Sequence, residues 1–360
     1  MTTTSAPPLP ALSDRLFAAV VGGYEIAAVA LGHRLGWYRA LADHGPATAA
    51  ELADRTGADA RYAREWLEQQ AVSGYLGVDD PAAGPEDRRF SLPPEHRAVL
   101  VDELDPDHLM PLADITVAFM RFVPQLAEVY RGTRTLSWDE LGDDVRDAQA
   151  AANRPFLLGP LVDDLLPAVP GVDDALRAGG RVADVGCGYG WSSIAIARRW
   201  PGCRVDGFDV DLPSVQRAHR NAEEAGVAER VTFRTADVRE TEPGADYDLV
   251  VAVECVHDMP EPVGVLAAMR RMVRPGGTVL VLDEAVAEQF TVPGDDAERL
   301  FYGYSVLCCL ADGRSSEPSA ATGAVMRPDT LRRYARDAGF TDVEVLPLDA
   351  GFFRVYRLVM

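Results

Sequence analysis

The stretch that most narrows the possible folds is Val182-Ala-Asp-Val-Gly-Cys-Gly-Tyr-Gly-Trp191. An apolar, strand-like run breaks into glycines at three alternate positions, Gly186, Gly188 and Gly190, and a helix-like stretch follows from Ser192 to Arg199. Glycine turns where other residues cannot and lets a ligand come close to the backbone. The next apolar run, Val205-Asp-Gly-Phe-Asp209, ends on a carboxylate. A carboxylate about 20 residues past such a turn, at the tip of the second strand, suits ribose hydroxyls. The pattern is that of a nucleoside-binding α/β domain.

The glycine spacing selects among nucleosides. A dinucleotide fingerprint, G-x-G-x-x-G, needs its third glycine at position 191, which is Trp191. Here the third glycine is Gly190, and Asp184 stands two residues ahead of the first. G-x-G-x-G with this upstream Asp resembles the signature of class I S-adenosylmethionine-dependent methyltransferases. A turn of this kind has no pyrophosphate to cradle and presses instead on the methionine and ribose portion of its ligand. The resemblance extends to Arg274-Pro-Gly-Gly277 ahead of the run Thr278–Asp283, and to the order of domains along nearly the whole chain. It implies an α/β, Rossmann-like sheet of seven strands, mostly parallel with an antiparallel C-terminal hairpin, behind an N-terminal, mostly helical winged-helix-like domain.

Periodicity agrees with that frame. From Gly180 apolar strands alternate with helices, which calls for a parallel sheet with crossovers. Strands are predicted at Arg181–Gly186, Arg204–Asp209, Val231–Ala236, Tyr247–Cys255 and Gly277–Asp283, and helices at Pro213–Ala225, Pro262–Val273 and Pro328–Ala338. Val343–Leu348 and Phe352–Val359, separated by Asp-Ala-Gly, are expected to pair as the hairpin. Nearer the N-terminus, Leu12–Leu41 is apolar and mostly helical, with Gly22-Gly23 and Gly36 as breaks or close-packing points. Thr48-Ala-Ala-Glu51 is a capping box, Gly57 ends its helix, and Asp59 caps the next, Ala60–Ser73. Two short strands, Tyr75–Val78 and Arg89–Leu92, complete a winged-helix unit. One amphipathic helix is predicted over Leu109–Arg131 and a further helical stretch over Asp147–Leu166. The expected domains are 1–105 for dimerisation, 106–175 as a helical block over the substrate, and 176–360 for the cofactor.

Ligands of open α/β sheets bind beyond the carboxyl ends of the strands, and each strand tip here carries a suitable residue. The resemblance makes Gly186, Gly188 and Gly190 the cofactor loop. Asp184 orders that loop and reaches toward the methionine ammonium. Asp209 accepts from the ribose diol, and Val210 packs against adenine. Asp237 accepts from the adenine amino group beside Val238, and Glu254 lies under the methionine tail. Any one of these carboxylates would equally serve as a turn or helix cap; three at successive tips, behind a G-x-G-x-G loop, make a site. Glu254-Cys-Val-His257-Asp258-Met259 resembles the His-Asp-Trp segment of plant-type O-methyltransferases, with Met259 in place of Trp. That implies His257 as the base that deprotonates an acceptor hydroxyl, with Asp283 orienting the imidazole and Glu284 as the second choice. A His that only caps the following helix is the competing reading. For the acceptor, Trp138, Phe156, Tyr302 and Tyr304 are candidates, with core or dimer packing as the alternative for each. No [DNS]-P-P-[YF] motif follows the fourth strand, which favours O- or C-methylation of a small molecule over N-methylation of a macromolecule. No metal is called for.

Composition removes other classes. The net charge is −21, against the basic footprint that nucleic acid or an anionic membrane requires. All 35 basic residues are Arg, so lysine Schiff-base chemistry and the P-loop G-K-[ST] are excluded. A winged helix invites a DNA-binding regulator, but Glu51 to Val72 holds five acidic residues against three arginines, a net of −2; the natural-product and plant-type relatives use such a domain to dimerise. The five cysteines include no C-x-x-C and read as reduced thiols of a cytoplasmic protein. Met1–Pro10 is expected to be disordered and carries no signal, and no apolar stretch is expected to span a membrane. The expected protein is thus a homodimer binding S-adenosylmethionine, releasing S-adenosylhomocysteine (SAH), and methylating a small-molecule acceptor. A relative that keeps the cofactor for cyclisation, decarboxylation or hydroxylation is the enzymatic alternative.

Overall fold

The computed structural model describes residues 9–241, 244 and 246–360; most of the N-terminal stretch expected to be disordered lies outside them. The chain divides into two compact units, Met1–Arg121 with Asp147–Pro155, and Phe122–Arg146 with Phe156–Met360. The block expected at 106–175 is therefore shared between the two.

The first unit starts with helix α1 (Leu9–Arg34), followed by α2 (Trp37–His44), α3 (Ala49–Thr56) and α4 (Ala60–Val72). Thr48 and Glu51 form the expected capping box, Gly57 closes α3 in the left-handed region, and Asp59 accepts from the amides of Arg61 and Tyr62. Strands β1 (Gly77–Val78) and β2 (Phe90–Ser91) pair antiparallel as the wing. The core gathers Trp37, Tyr38, Leu52, Trp66, Leu67 and Phe90. Gly22-Gly23 is neither a break nor a contact: α1 runs through it, and a Cβ at either position would meet nothing within 4 Å. The close approach lies at Gly32, where a Cβ would stand 2.1 Å from the Trp66 ring. Because α1 is unbroken, Pro10–Arg34 is long and apolar enough to cross a membrane by length and composition, contrary to the expectation that no stretch is. The helix predicted over Leu109–Arg131 divides into Met110–Met120 and Val123–Val129. Pro124, in the first turn of the second, has no N–H with which to continue the first.

The second unit is built on a seven-stranded sheet of β3 (Arg181–Val185), β4 (Arg204–Asp209), β5 (Val231–Thr235), β6 (Tyr247–Val253), β7 (Val273–Glu284), β8 (Asp342–Val345) and β9 (Phe353–Val359). Their order is β5-β4-β3-β6-β7-β9-β8. The first five run parallel; β9 pairs antiparallel with both β7 and β8. Alternate residues feed opposite cores: Val182, Leu249, Val251, Leu280 and Leu282 on one face, Ala183, Val250, Ala252, Val279 and Val281 on the other. A sheet buried on both faces needs continuous apolar strands, and the sequence supplies them. The strand direction reverses its winding between β3 and β6, so the crevice beyond their carboxyl ends is where a ligand belongs.

Candidate active site

The glycine turn leaves β3 with Gly186, Gly188 and Gly190 all at positive φ, between 51° and 76°. Gly186 and Cys187 donate their amides to the carbonyl of Phe208, stitching the turn to β4 (2.8 and 3.1 Å). Added Cβ atoms at Gly186 and Gly190 would meet Cys255 Sγ at 2.6 Å and the Phe233 ring at 2.4 Å, whereas one at Gly188 would meet nothing. The middle glycine therefore faces open space, the geometry a close-lying ligand needs. Asp184 is buried and accepts from the hydroxyls of Ser192 and Ser193 at 2.5 and 2.6 Å, tying the turn to helix Trp191–Arg199. Burial raises its carboxyl and the two hydroxyls work against that rise. The link runs through two serines that the motif does not mention.

Asp209 ends β4 and accepts from the amide of Gly188 at 2.8 Å and from that of Asp211 at 2.9 Å, one on each oxygen. A carboxylate offers about four lone-pair sites, so each oxygen retains room for one further donor. Burial raises the Asp209 carboxyl despite these amides. Val210 is 71% exposed beside it. Asp237 follows β5, but its two oxygens are held by the Arg239 guanidinium (2.6–3.0 Å), which keeps the carboxyl below its ordinary range. Arg239 also pairs with Glu261. Val238 is buried in the core. Glu254 closes β6 with φ of 52°, a conformation that a non-glycine residue holds at a cost of about 1–3 kcal/mol.

His257 sits 2% exposed past the tip of β6. Its Nδ1 lies 2.9 Å from Asp283 Oδ1 and 2.9 Å from Glu284 Oε2, at the end of β7, and its Nε2 lies 3.2 Å from Asp258 Oδ2. Asp283 makes the hydrogen bond to Nδ1, and Glu284 Oε2 stands as close without one. Burial opposes charge on the imidazole, but Asp258, Glu284 and Asp283 outweigh it and hold His257 well above its ordinary value. A neutral ring titrating near 6.5 is therefore not what the fold produces. Burial and the neighbouring Asp283 push Glu284 well up, while the pairing with His257 holds Asp283 down. The same imidazole is near enough to Asp283 and Glu284, or to Asp258 and Cys309, for either set to surround a cation.

The acceptor candidates separate. Tyr304 ends helix Asp296–Tyr304, where burial and then the charges of Glu254 and the nearby thiols push its phenol well up. Tyr302, two positions earlier on the same helix, points outward, its hydroxyl 3.4 Å from Arg327. Phe156 packs on Phe353 with ring centroids 4.6 Å apart, a core contact. Trp138 donates its amide to Asp312 Oδ1 at 2.7 Å, and Asp312, buried beside Asp258, is pushed up to about 7. Asp312 and Cys309 carry no motif; the π-helical turn Ser305–Cys309 that carries Cys309 toward His257 is a product of packing.

Comparison with known proteins completes the assignment. The methyltransferase domain family profile matches residues 182–277, and that of the Rv2258c-like winged HTH domain matches residues 26–102. The chain is 36% identical over 165 residues to the 27-O-demethylrifamycin SV methyltransferase of Amycolatopsis mediterranei, covering 46% of this chain and 55% of that one. It is 32% identical over 174 residues to the ubiquinone biosynthesis O-methyltransferase of Pseudomonas savastanoi pv. phaseolicola, covering 48% of this chain and 68% of that one. The chain thus spans about half to two thirds of the length of these curated relatives. Among solved structures, a putative O-methyltransferase from Nostoc punctiforme superposes with a TM-score of 0.74 at 20% identity, covering 99% and 100% of the two chains. PigF with SAH superposes with a TM-score of 0.71 at 19% identity, covering 96% and 99%. The glycine loop, the sheet order and these likenesses agree: the chain belongs to the class I S-adenosylmethionine-dependent methyltransferases that carry an N-terminal winged helix-turn-helix domain.

Proposed function

We propose that this protein transfers a methyl group from S-adenosylmethionine to an oxygen of a small-molecule acceptor of secondary metabolism. The observation that carries the reading is the juxtaposition of Asp209, cross-linked to the glycine loop through Gly188, with His257 hydrogen-bonded to Asp283 and flanked by Glu284 on the same sheet edge. The cofactor fits the residues present. Gly188 leaves open space where a side chain would intrude, and a desolvated Asp209 retains one acceptor position on each oxygen for a ribose diol. Glu254 lies toward the methionine end, and Asp237 and Val238 toward adenine.

When bound, S-adenosylmethionine supplies a methyl carbon already activated by positive sulfur, so the chain needs only to align the acceptor and remove one proton. His257, once it has lost its own proton, takes that of the acceptor on Nε2, the nitrogen that faces Asp258 at 3.2 Å and is turned away from Asp283 and Glu284. Its carboxylate partners fix the ring and favour the charged product, as they would for any imidazolium formed during reaction. Tyr304 and Trp138 border the acceptor, and the core contacts of Phe156 and the outward turn of Tyr302 favour packing roles for those two.

Dimerisation through α1 belongs to the same proposal. Leu16, Phe17 and Tyr24 are each at least 65% exposed along one helix, an apolar surface that a second copy of the chain would cover. A cytoplasmic, DNA-free enzyme fits the five free thiols and the acidic balance.

Calorimetric titration with S-adenosylmethionine and SAH is the first test. Micromolar binding of both, followed by SAH release when phenolic and polyketide acceptors are screened, is expected. No binding of either would remove the cofactor assignment; binding without SAH release would take the reaction away from methyl transfer.

A further inference from the structure

Arg146 is a buried cation, 3% exposed, that takes no part in the chemistry described above. It makes four hydrogen bonds to three carboxylates. Its Nε and Nη2 grip the two oxygens of Asp211 at 2.9 Å each, Nη2 also reaches Asp139 at 3.0 Å, and Nη1 reaches Asp143 at 3.1 Å. Asp139 and Asp143 are highly exposed, and such pairs contribute little. Asp211 is 10% exposed, and the two-point contact with it is one that Arg makes and Lys does not.

Asp211 is also the neighbour that holds Asp209. Its amide donates to Asp209 Oδ1 at 2.9 Å, and its carboxylate caps helix Leu212–Glu224 by accepting from the Ser214 amide at 3.0 Å. Burial would push the Asp211 carboxyl up; the Arg146 fork, together with the Ser214 hydroxyl and amide, outweighs burial and holds it down. Eight residues before Arg146, the amide of Trp138 is fastened to Asp312, beside Asp258 and His257. Between these two anchors, Leu141 and Val145 are buried and a Ser137–Glu140 capping box sets the first turn. Residues 136–146 thus form a short strap, tied to Asp211 on the ribose side and to Asp312 on the acceptor side.

We propose that Arg146 is a positioning residue which, through Asp211, sets Asp209 for the cofactor ribose and, through the strap, couples cofactor occupancy to the order of the acceptor side. The inference rests on the cofactor reading given above. Without the fork, Asp211 would stand buried next to Asp209 with only Ser214 to offset its charge. Two neighbouring desolvated carboxylates compete to stay neutral, and Asp209 becomes the poorer acceptor. Linkage makes the effect reciprocal: if bound cofactor favours the fastened strap, the fastened strap favours the cofactor.

The test uses the full chain, with SAH as the probe. Calorimetry measures its affinity, and hydrogen exchange follows the amides of residues 136–146 with and without saturating SAH. In the wild type, SAH is expected to slow exchange along the strap. Arg146→Leu is expected to bind SAH at least tenfold more weakly and to show no added protection at saturation. Arg146→Lys, which retains charge without the fork, is expected to lie between them with an unchanged unfolding temperature, and it carries the test if Arg146→Leu does not fold. SAH affinity equal to wild type in the folded variants, or strap exchange indifferent to SAH in the wild type, would overturn the inference. A wild type that binds no SAH would instead overturn the cofactor reading, and this inference with it.

Discussion

At the scale of single residues, the site is governed by how its carboxylates are compensated. Asp209 has two backbone donors and no cation, so it is expected to favour further donors such as a ribose diol. Asp209→Ala is expected to weaken S-adenosylmethionine binding by roughly 2–4 kcal/mol, as for loss of charge-assisted hydrogen bonds; unchanged affinity in calorimetry would remove the ribose assignment. His257 differs in sign. Its folded value lies above the unfolded one, so its stabilising contribution is complete below about pH 6.5 and is lost as pH rises through the raised folded value. His257→Phe should therefore cost more unfolding free energy at about pH 6 than at about pH 9, measured by urea denaturation. The same shift places the acid limb of turnover above the ordinary histidine range, because the base must first lose a proton. A limb at or below about pH 6.5 would speak against His257 as the base. The placement of His257 is legible from its position after the fourth strand of the domain. Its charge state is not, because Asp258, Asp283 and Glu284 converge on it from two strand ends.

At the scale of elements, the glycine turn shows how local sequence and packing divide the work. Three positive φ angles are local requirements, and the alternation of glycines announces them. Which glycine faces open space is set by Phe233 of β5 and by Cys255 just past β6. Gly186→Ala combines backbone strain with a collision at Cys255, so a loss of stability of about 3 kcal/mol or more is expected in urea unfolding. Gly188→Ala meets open space and should cost only about 1–2 kcal/mol of left-handed strain, with the larger effect on cofactor affinity. Equal stability losses in the two variants would contradict this division. Caps were similarly legible: Thr48 with Glu51, and Asp59, occupy their predicted places. Gly22-Gly23 was not, because a pair of glycines in a helix and a pair at a break have the same composition, and only the neighbouring surface separates them.

At the scale of the whole molecule, α1 exposes apolar side chains along the one helix among the described residues that is long and apolar enough to cross a membrane. If a second copy covers it, Phe17→Asp should shift the protein from dimer toward monomer in light scattering at low micromolar concentration, while SAH affinity is retained; an unchanged mass would sink the α1 interface. The net charge of −21 leads to a second expectation, that duplex DNA does not bind in a salt-dependent manner despite the winged helix. The sequence by itself determined the alternation of strands and helices, the glycine turn, the caps and the carboxylates at the strand tips, because these depend on periodicity and on backbone requirements within a few residues; the order of the strands is a tertiary property. Only the tertiary structure decided that Asp237 answers to Arg239, that Asp283 and Glu284 flank one imidazole, that Tyr304 is drawn in beside Glu254 while Tyr302 stays exposed, and that Arg146 reaches Asp211 across 65 positions of chain. Those pairings join residues distant in sequence, and desolvation, which sets their strength, exists only once the chain has packed.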